Sequence, residues 1–250
     1  MNRTKIEWCD YTWNPVTGCW GPGGTAEKPN RCSYCYAERA AQRIYFNNDW
    51  GQDYEMGDPF MPRFWPDRLN EPAKVKKPSR IFVCSMGDLF GEWVPSEWIY
   101  DVLVMVDKCP QHTFIFLTKN PHRYYNWQWP DNCWVGTTIT NQQDADSRIP
   151  QLFEADCRTI FVSAEPLSGP IIFPKLEDIS PGVNSIGISW LIIGAMTGPK
   201  AIRPQVDWVN SLVIQAEKAG IPIFVISSLS VLCYAHFITH RDFPDERKNP

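Results

Sequence analysis

From residue 80 onward the sequence repeats one pattern: a short, nearly continuous apolar run that ends in a polar or glycine-rich turn. The runs are RIFVCS (80–85), HTFIFLTK (112–119), CWVGTTIT (133–140), RTIFVSAE (158–165), SWLIIGAM (189–196) and IPIFVIS (221–227). Most are β-branched or aromatic and do not alternate with polar residues, the pattern of strands buried on both faces, as in a parallel sheet. Parallel strands need crossovers, and helical segments fill several of the gaps. PSEWIYDVLVMVDKC (95–109) opens on the start signal Pro95-Ser96, and QVDWVNSLVIQAEKAG (205–220) closes on Gly220. The links at 120–130 and 166–188 carry weaker helical signals. With a first strand expected at Lys5–Trp8, there are about six or seven mainly parallel strands. Such alternation predicts an α/β fold, a full or partial (β/α) barrel rather than a doubly wound sheet.

The strand ends carry a second pattern. Ser85, Gly87 and Asp88, then Thr118 and Lys119, then Thr138, Thr140 and Asn141, then Ser163 and Glu165, then Thr197 and Gly198 all follow apolar runs. Ligands of (β/α) barrels sit at this carboxyl edge. Strands can also simply end in polar turns, but five doing so with these side chains point to a site.

The first 80 residues are different. An apolar-striped helix is expected at 33–45, and 47–79 reads as an irregular excursion dense in Gly, Pro, Asn and Asp, with one short helix near Asp67. The stretch AKVKKPSR (73–80) is basic, yet the whole chain carries a formal net charge of −4 and does not attract nucleic acid by bulk charge. No apolar h-region opens the chain and no run approaches the roughly 20 residues of a membrane span, so a cytoplasmic protein is expected, with no membrane partner.

Nine cysteines are many for such a protein, and their odd number argues against a disulfide framework. Cys84, Cys109, Cys133, Cys157 and Cys233 lie in or beside apolar runs and read as small buried hydrophobes. Cys19, Cys32 and Cys35 do not: they sit in NPVTGCWGPGGTAEKPNRCSYCYAERAA (14–41), a Gly-rich loop leading into a helix. Thiolates suit zinc and iron–sulfur clusters. A structural zinc takes four protein ligands, with Cys9 as the fourth here. Three cysteines on a [4Fe–4S] cluster leave one iron open to a substrate or cofactor.

Cys32-Ser33-Tyr34-Cys35, with an aromatic before the last cysteine, resembles the cluster motif of radical S-adenosylmethionine (radical SAM) enzymes, although the spacing is Cys-x12-Cys-x2-Cys rather than Cys-x3-Cys-x2-Cys. The stretches TWNPVTGC, RCSYCYAERA, VCSMGDLFGEWVP, FLTKNPHR, WVGTTITNQ, FVSAEPLSGPI and WVNSLVIQAEKAGIPIFV, in that order over residues 12–225, resemble more closely an uncharacterised, often phage-encoded branch of that superfamily. The resemblance implies a full or partial (β/α) barrel of the radical SAM type over residues 1–225, with a tail at 226–250 to which no role is assigned. It implies a [4Fe–4S] cluster on Cys19, Cys32 and Cys35, with S-adenosylmethionine (SAM) bound to the open iron. An external electron donor would drive cleavage of SAM to methionine and a 5′-deoxyadenosyl radical. By position, Ser85, Gly87 and Asp88 would meet the SAM amino group, Thr138, Thr140 and Asn141 its ribose and carboxylate, and Glu165 either SAM or substrate, as the candidate catalytic residue. Where the branch often reads Gly-Gly-Glu, this chain has GAMTG (194–198), with Met196 in place of the acid.

The expected function is therefore a radical SAM enzyme of unknown substrate, with nucleic acid or a nucleotide the class to test first. Two alternatives stand beside it. One is a non-catalytic nucleic-acid-binding protein with a four-cysteine zinc; the other is a (β/α)-barrel hydrolase using Asp88 and Glu165.

Overall fold

The computed structural model describes residues 1–47, 57–173, 187–198, 201–232 and 240–244. Ten strands are described: β1 (Asn2–Arg3), β2 (Tyr11–Trp13), β3 (Val16–Thr17), β4 (Arg63–Phe64), β5 (Arg80–Val83), β6 (Thr113–Thr118), β7 (Cys133–Thr138), β8 (Thr159–Ala164), β9 (Trp190–Ile193) and β10 (Ile223–Val225). The helices are α1 (Tyr36–Asn47), α2 (Ser96–Asp107), α3 (Gln142–Leu152) and α4 (Val206–Lys218). Eight strands form one mostly parallel sheet in the order β1-β2-β5-β6-β7-β8-β9-β10, and β3 pairs with β4 as a separate antiparallel ribbon. The expected α/β architecture is present, and all six apolar runs became strands.

One expectation about elements is corrected. The first parallel strand is not Lys5–Trp8 but Tyr11–Trp13, which pairs with β5. Residues 4–9 instead turn back on themselves, with Ile6 N–H bonded to Thr4 Oγ1 and Cys9 N–H to the Ile6 carbonyl. Helix α3 carried no clear signal in the sequence, being polar and containing Pro150. It forms because Ala145, Ile149 and Leu152 share one buried face; Pro150 removes the bond that an N–H there would make to the carbonyl four residues back, and the helix ends two residues later.

The chain divides into two compact units, residues 1–120 with 130–133, and residues 121–129 with 134–250. In the first, β2, β5 and β6 run parallel, and α2 buries Ile99, Val102, Leu103 and Val106 at helical spacing. Trp13 is fully buried, lies edge-on to Phe114 and donates its indole N–H to the Arg68 carbonyl at 2.7 Å. Burying such a side chain contributes about 2–3 kcal/mol, and this one also ties the excursion to the sheet. β1 pairs antiparallel with β2 and covers that edge.

In the second unit β8 pairs parallel with β7 and β9, and β9 with β10. Trp190 is its hub, with ring centroids 5.5 Å from Trp134, 5.5 Å from Phe161 and 5.4 Å from Phe243. Phe243 belongs to the segment for which the sequence suggested no role. Here Arg241 bridges antiparallel to Phe224 of β10, Val225 N–H reaches the His240 carbonyl at 3.0 Å, and the Trp190 indole donates to the Asp242 carbonyl at 2.8 Å. Residues 240–243 thus cover the outer edge of β10, as β1 does for β2. Cys84, Cys109 and Cys133 are buried as expected, and Cys157 is half-buried. Cys233, residues 48–56, most of the 166–188 link and most of the 226–250 tail lie outside the described residues.

Candidate functional site

The cysteine loop leaves β2 and returns to the carboxyl end of β5. There the backbone of Gly18 bridges that of Gly87, with Gly18 N–H on the Met86 carbonyl at 2.8 Å. No side chain fits this contact. A Cβ on Gly87 would stand 2.8 Å from the Gly18 oxygen, and one on Gly18, whose φ is +84°, would stand 2.2 Å from the Met61 oxygen. Asn14 fixes the same junction: its Oδ1 accepts from Met86 N–H at 2.8 Å and from Ser85 Oγ at 3.2 Å. Helix α1 reaches it too, through the Tyr36 hydroxyl donating to the Ser85 carbonyl. Ser85, Gly87 and Cys19 are therefore brought together.

Arg31 holds the loop's interior. Its Nε donates to the Cys19 carbonyl at 2.8 Å, one terminal nitrogen donates to Glu38 at 3.2 Å, and the other pairs with Asp58. Its guanidinium also lies over Trp20 at 5.3 Å and Phe60 at 5.5 Å. Arg31 precedes Cys32, so one planar cation fixes Cys19, the start of the Cys32–Cys35 turn and α1 together. The turn itself closes with Cys35 N–H on the Cys32 carbonyl at 2.9 Å.

Two of the three sulfurs already receive backbone donors: Gly21 N–H reaches Cys19 Sγ at 3.2 Å, and Glu38 N–H reaches Cys35 Sγ at 3.4 Å. Cys35 immediately precedes α1, where the helix dipole favours negative charge. Burial nevertheless pushes the Cys19 thiol up to about 12. The Asp88 charge adds to that push, while Gly21 N–H and the Lys119 ammonium oppose it. Burial likewise raises Cys35, against the N–H groups of Glu38 and Ala37 and against Lys119. Buried thiols with waiting donors and a nearby cation suit a ligand that replaces their protons.

Among the described residues no three His, Cys, Asp or Glu side chains come together closely enough to hold a single metal ion. The ligands of a [4Fe–4S] cube need not converge so, because each thiolate takes a different iron. Cys9 lies elsewhere, ahead of β2, with its thiol near the Phe82 backbone and pushed up to about 12 by burial. Cys19 lies past the end of the same strand, beside Asp88.

Asp88 is buried, and its carboxylate is fully engaged. Oδ1 accepts from Phe90 N–H at 3.0 Å and Thr118 Oγ1 at 2.6 Å; Oδ2 accepts from Lys119 N–H and Asn120 Nδ2, each at 3.2 Å. Four donors fill the roughly four acceptor sites of a carboxylate. Asp88 thus ties the loop after β5 to the loop after β6 and leaves no acceptor spare for an outside ammonium. Cys84, one turn earlier, takes the left-handed conformation at φ 57°, unusual without glycine.

The remaining predicted residues belong to the second unit. Thr138 is buried at the end of β7. Asn141 caps α3 through Oδ1, which accepts Asp144 N–H at 3.0 Å; Asp144 returns Oδ2 to Thr140 N–H at 2.9 Å and to its hydroxyl at 2.7 Å. This is a reciprocal cap. Arg148 ties it to β7, reaching Asp144 at 2.9 Å and the Thr138 carbonyl at 2.7 Å. Glu165 is half-buried after β8 and lies across the exit of β9, where a Cβ on Gly194 would stand 3.1 Å from its Cγ. The Ser163 hydroxyl, buried on β8, makes no hydrogen bond among the described residues.

Sequence reasoning missed Arg31, Asn14 and Tyr36. Only Arg31 had a signal, an arginine beside the first Cys of Cys-x2-Cys; the partners of the other two are 49 and more residues away.

Among solved structures, the fold is similar to spore photoproduct lyase complexed with dinucleoside spore photoproduct, at TM-score 0.52 and 12% identity over 90% of this chain and 78% of that one. A cysteine-to-serine mutant of the same lyase gives TM-score 0.54 at 12% identity and the same coverage. At that identity the likeness is one of fold. No curated protein matches the sequence. A family model described as "Protein of unknown function (DUF5131)" matches residues 3–227, from the first strand through the last of the sheet, and the chain belongs to that family.

Proposed function

We propose that this chain is a radical SAM enzyme that holds one [4Fe–4S] cluster on Cys19, Cys32 and Cys35. The observation that carries the reading is the cysteine loop itself, locked by Gly18–Gly87, Asn14 and Arg31 onto the carboxyl end of a parallel strand. The similar fold of spore photoproduct lyase, a radical SAM enzyme, supports it. When bound, the cluster would supply the electron that cleaves SAM to methionine and a 5′-deoxyadenosyl radical.

The chain's own residues hold and shield. Arg31 and Asn14 fix the loop, Gly21 and Glu38 N–H groups reach the sulfurs, and Asp88 braces the β5 and β6 loops. Ser85 and Gly87 offer backbone at the cluster's edge for the SAM amino group. Thr138, Thr140, Asn141 and Glu165 remain the proposed SAM and substrate side, with Thr140 and Asn141 acting through the α3 cap. Nucleic acid or a nucleotide is the proposed substrate class, supported by a similar fold solved with a dinucleoside and by the basic stretch 73–80.

Anaerobic reconstitution tests the reading. Brown protein with about four irons per chain should convert SAM to 5′-deoxyadenosine under a strong reductant. Alanine at Cys19, Cys32 or Cys35 should abolish iron loading, and Cys9→Ala should not. Loss of metal in Cys9→Ala alone, or intact reduced cluster without 5′-deoxyadenosine, would refute it.

A further inference from the structure

Lys119 follows β6 at the same edge, and nothing described so far gives its side chain a task. Its backbone N–H is spent on Asp88, so the residue is anchored independently of what its ammonium does. The ammonium lies over the ring of Tyr34, 5.8 Å from its centroid. Tyr34 is inside the Cys32–Cys35 turn, so this cation–π contact aims the charge at the cysteine loop. The same ammonium opposes the upward push on both Cys19 and Cys35. Two thiols thus share one ammonium, while Asp88 takes only the backbone N–H of the same residue.

Resting on the three-cysteine reading above, we propose that Lys119 is the built-in counter-charge of the cysteine loop, stabilising an anionic iron–sulfur cluster there and making it easier to reduce. A cluster on three thiolates is negative and becomes more so when it accepts one electron from an external low-potential donor. A fixed ammonium nearby favours the reduced form more than the oxidised one, so it raises the reduction potential. In a half-buried site the charge is screened less than at the surface. Tyr34 keeps the flexible stem from swinging into solvent, which fixes the charge at no cost to the Asp88 brace.

The test compares wild type, Lys119→Met and Lys119→Arg, with Lys108→Met at the exposed end of α2 as control. Each is reconstituted anaerobically with iron and sulfide, assayed for iron per chain, and titrated with dithionite while the reduced cluster is followed by electron paramagnetic resonance. Lys119→Met should show a more negative midpoint at equal iron, or a several-fold loss of iron, while Lys119→Arg and Lys108→Met stay near wild type. Equal midpoints and equal iron in Lys119→Met and wild type overturn the proposal. So does equal impairment in Lys119→Met and Lys119→Arg, which would mean that shape rather than charge matters. If wild type binds no iron, the three-cysteine reading falls first and this proposal with it; if wild type loads and only the midpoint prediction fails, the cluster reading stands alone.

Discussion

Replacing Arg31 by Met should loosen the cysteine loop before any metal is involved. The side chain makes three charge-assisted bonds, to the Cys19 carbonyl, Glu38 and Asp58, and covers Trp20 and Phe60. Its partners are only partly shielded, so each bond is worth about 0.5–1 kcal/mol rather than the value of a fully buried pair. The two cation–π contacts add about 0.5 kcal/mol each. Together Arg31→Met should cost about 3 kcal/mol, some of it recovered because methionine keeps apolar contact with the two rings. For a chain of 250 residues that is a fall of about 6–12 °C in the melting midpoint of the metal-free protein. Lysine keeps the charge but not the fork, so Arg31→Lys should recover less than half. Differential scanning calorimetry of the apo protein reads the first effect, and iron per chain after reconstitution reads the second, expected to drop several-fold. If Arg31→Met melts within 1 °C of wild type, or loads iron as well, then the loop is not held by this residue.

Other consequences are equally direct. Gly87→Ala puts a methyl 2.8 Å from the Gly18 oxygen; prying the two backbones apart should cost about 1–3 kcal/mol and lower iron loading, and a variant with normal melting and iron would show that the loop yields freely. Asp88→Asn offers an NH2 where Lys119 N–H or Thr118 now donates, so the apo protein should lose about 2 kcal/mol; denaturant unfolding unchanged by the substitution would mean the brace is not needed. Burial pushes the Cys84 thiol from 9.0 to about 12. Its proton is held more tightly folded than unfolded, so that stability is complete below pH 9 and is lost between pH 9 and 12, at up to about 1.4 kcal/mol per pH unit. Cys84→Ala should flatten the alkaline fall in stability, and parallel pH curves for the two proteins would count against it.

The sheet was legible because both-face burial leaves continuous apolar runs, a signal that needs no partner to be seen. The short β2 was misplaced: Lys5–Trp8 looks as strand-like as Tyr11–Trp13, and only pairing with β5 distinguishes them. The cysteines were legible as chemistry through loop composition. The roles of polar strand-end residues were not. Asp88, Thr140 and Asn141 look like ligand contacts, yet their oxygens meet protein donors or acceptors from loops and turns. A sequence shows that such residues stand at the edge but not which of them the fold consumes. Residues 240–243 were illegible for the opposite reason: they are a single antiparallel pairing with β10, too short to carry a period.

The locks on the cysteine loop also set an order of events. Asn14 waits for Ser85 and Met86, 71 and 72 residues on; Trp13 waits for Arg68, 55 on; Arg31 waits for Asp58, 27 on. Closing such long loops is entropically slow compared with forming α1 locally. A nascent or refolding chain therefore presents three loose thiols long before the loop that carries them is locked. On the proposed cluster reading, iron arriving early would meet unpositioned ligands, and its delivery would belong after β5 has docked on β2.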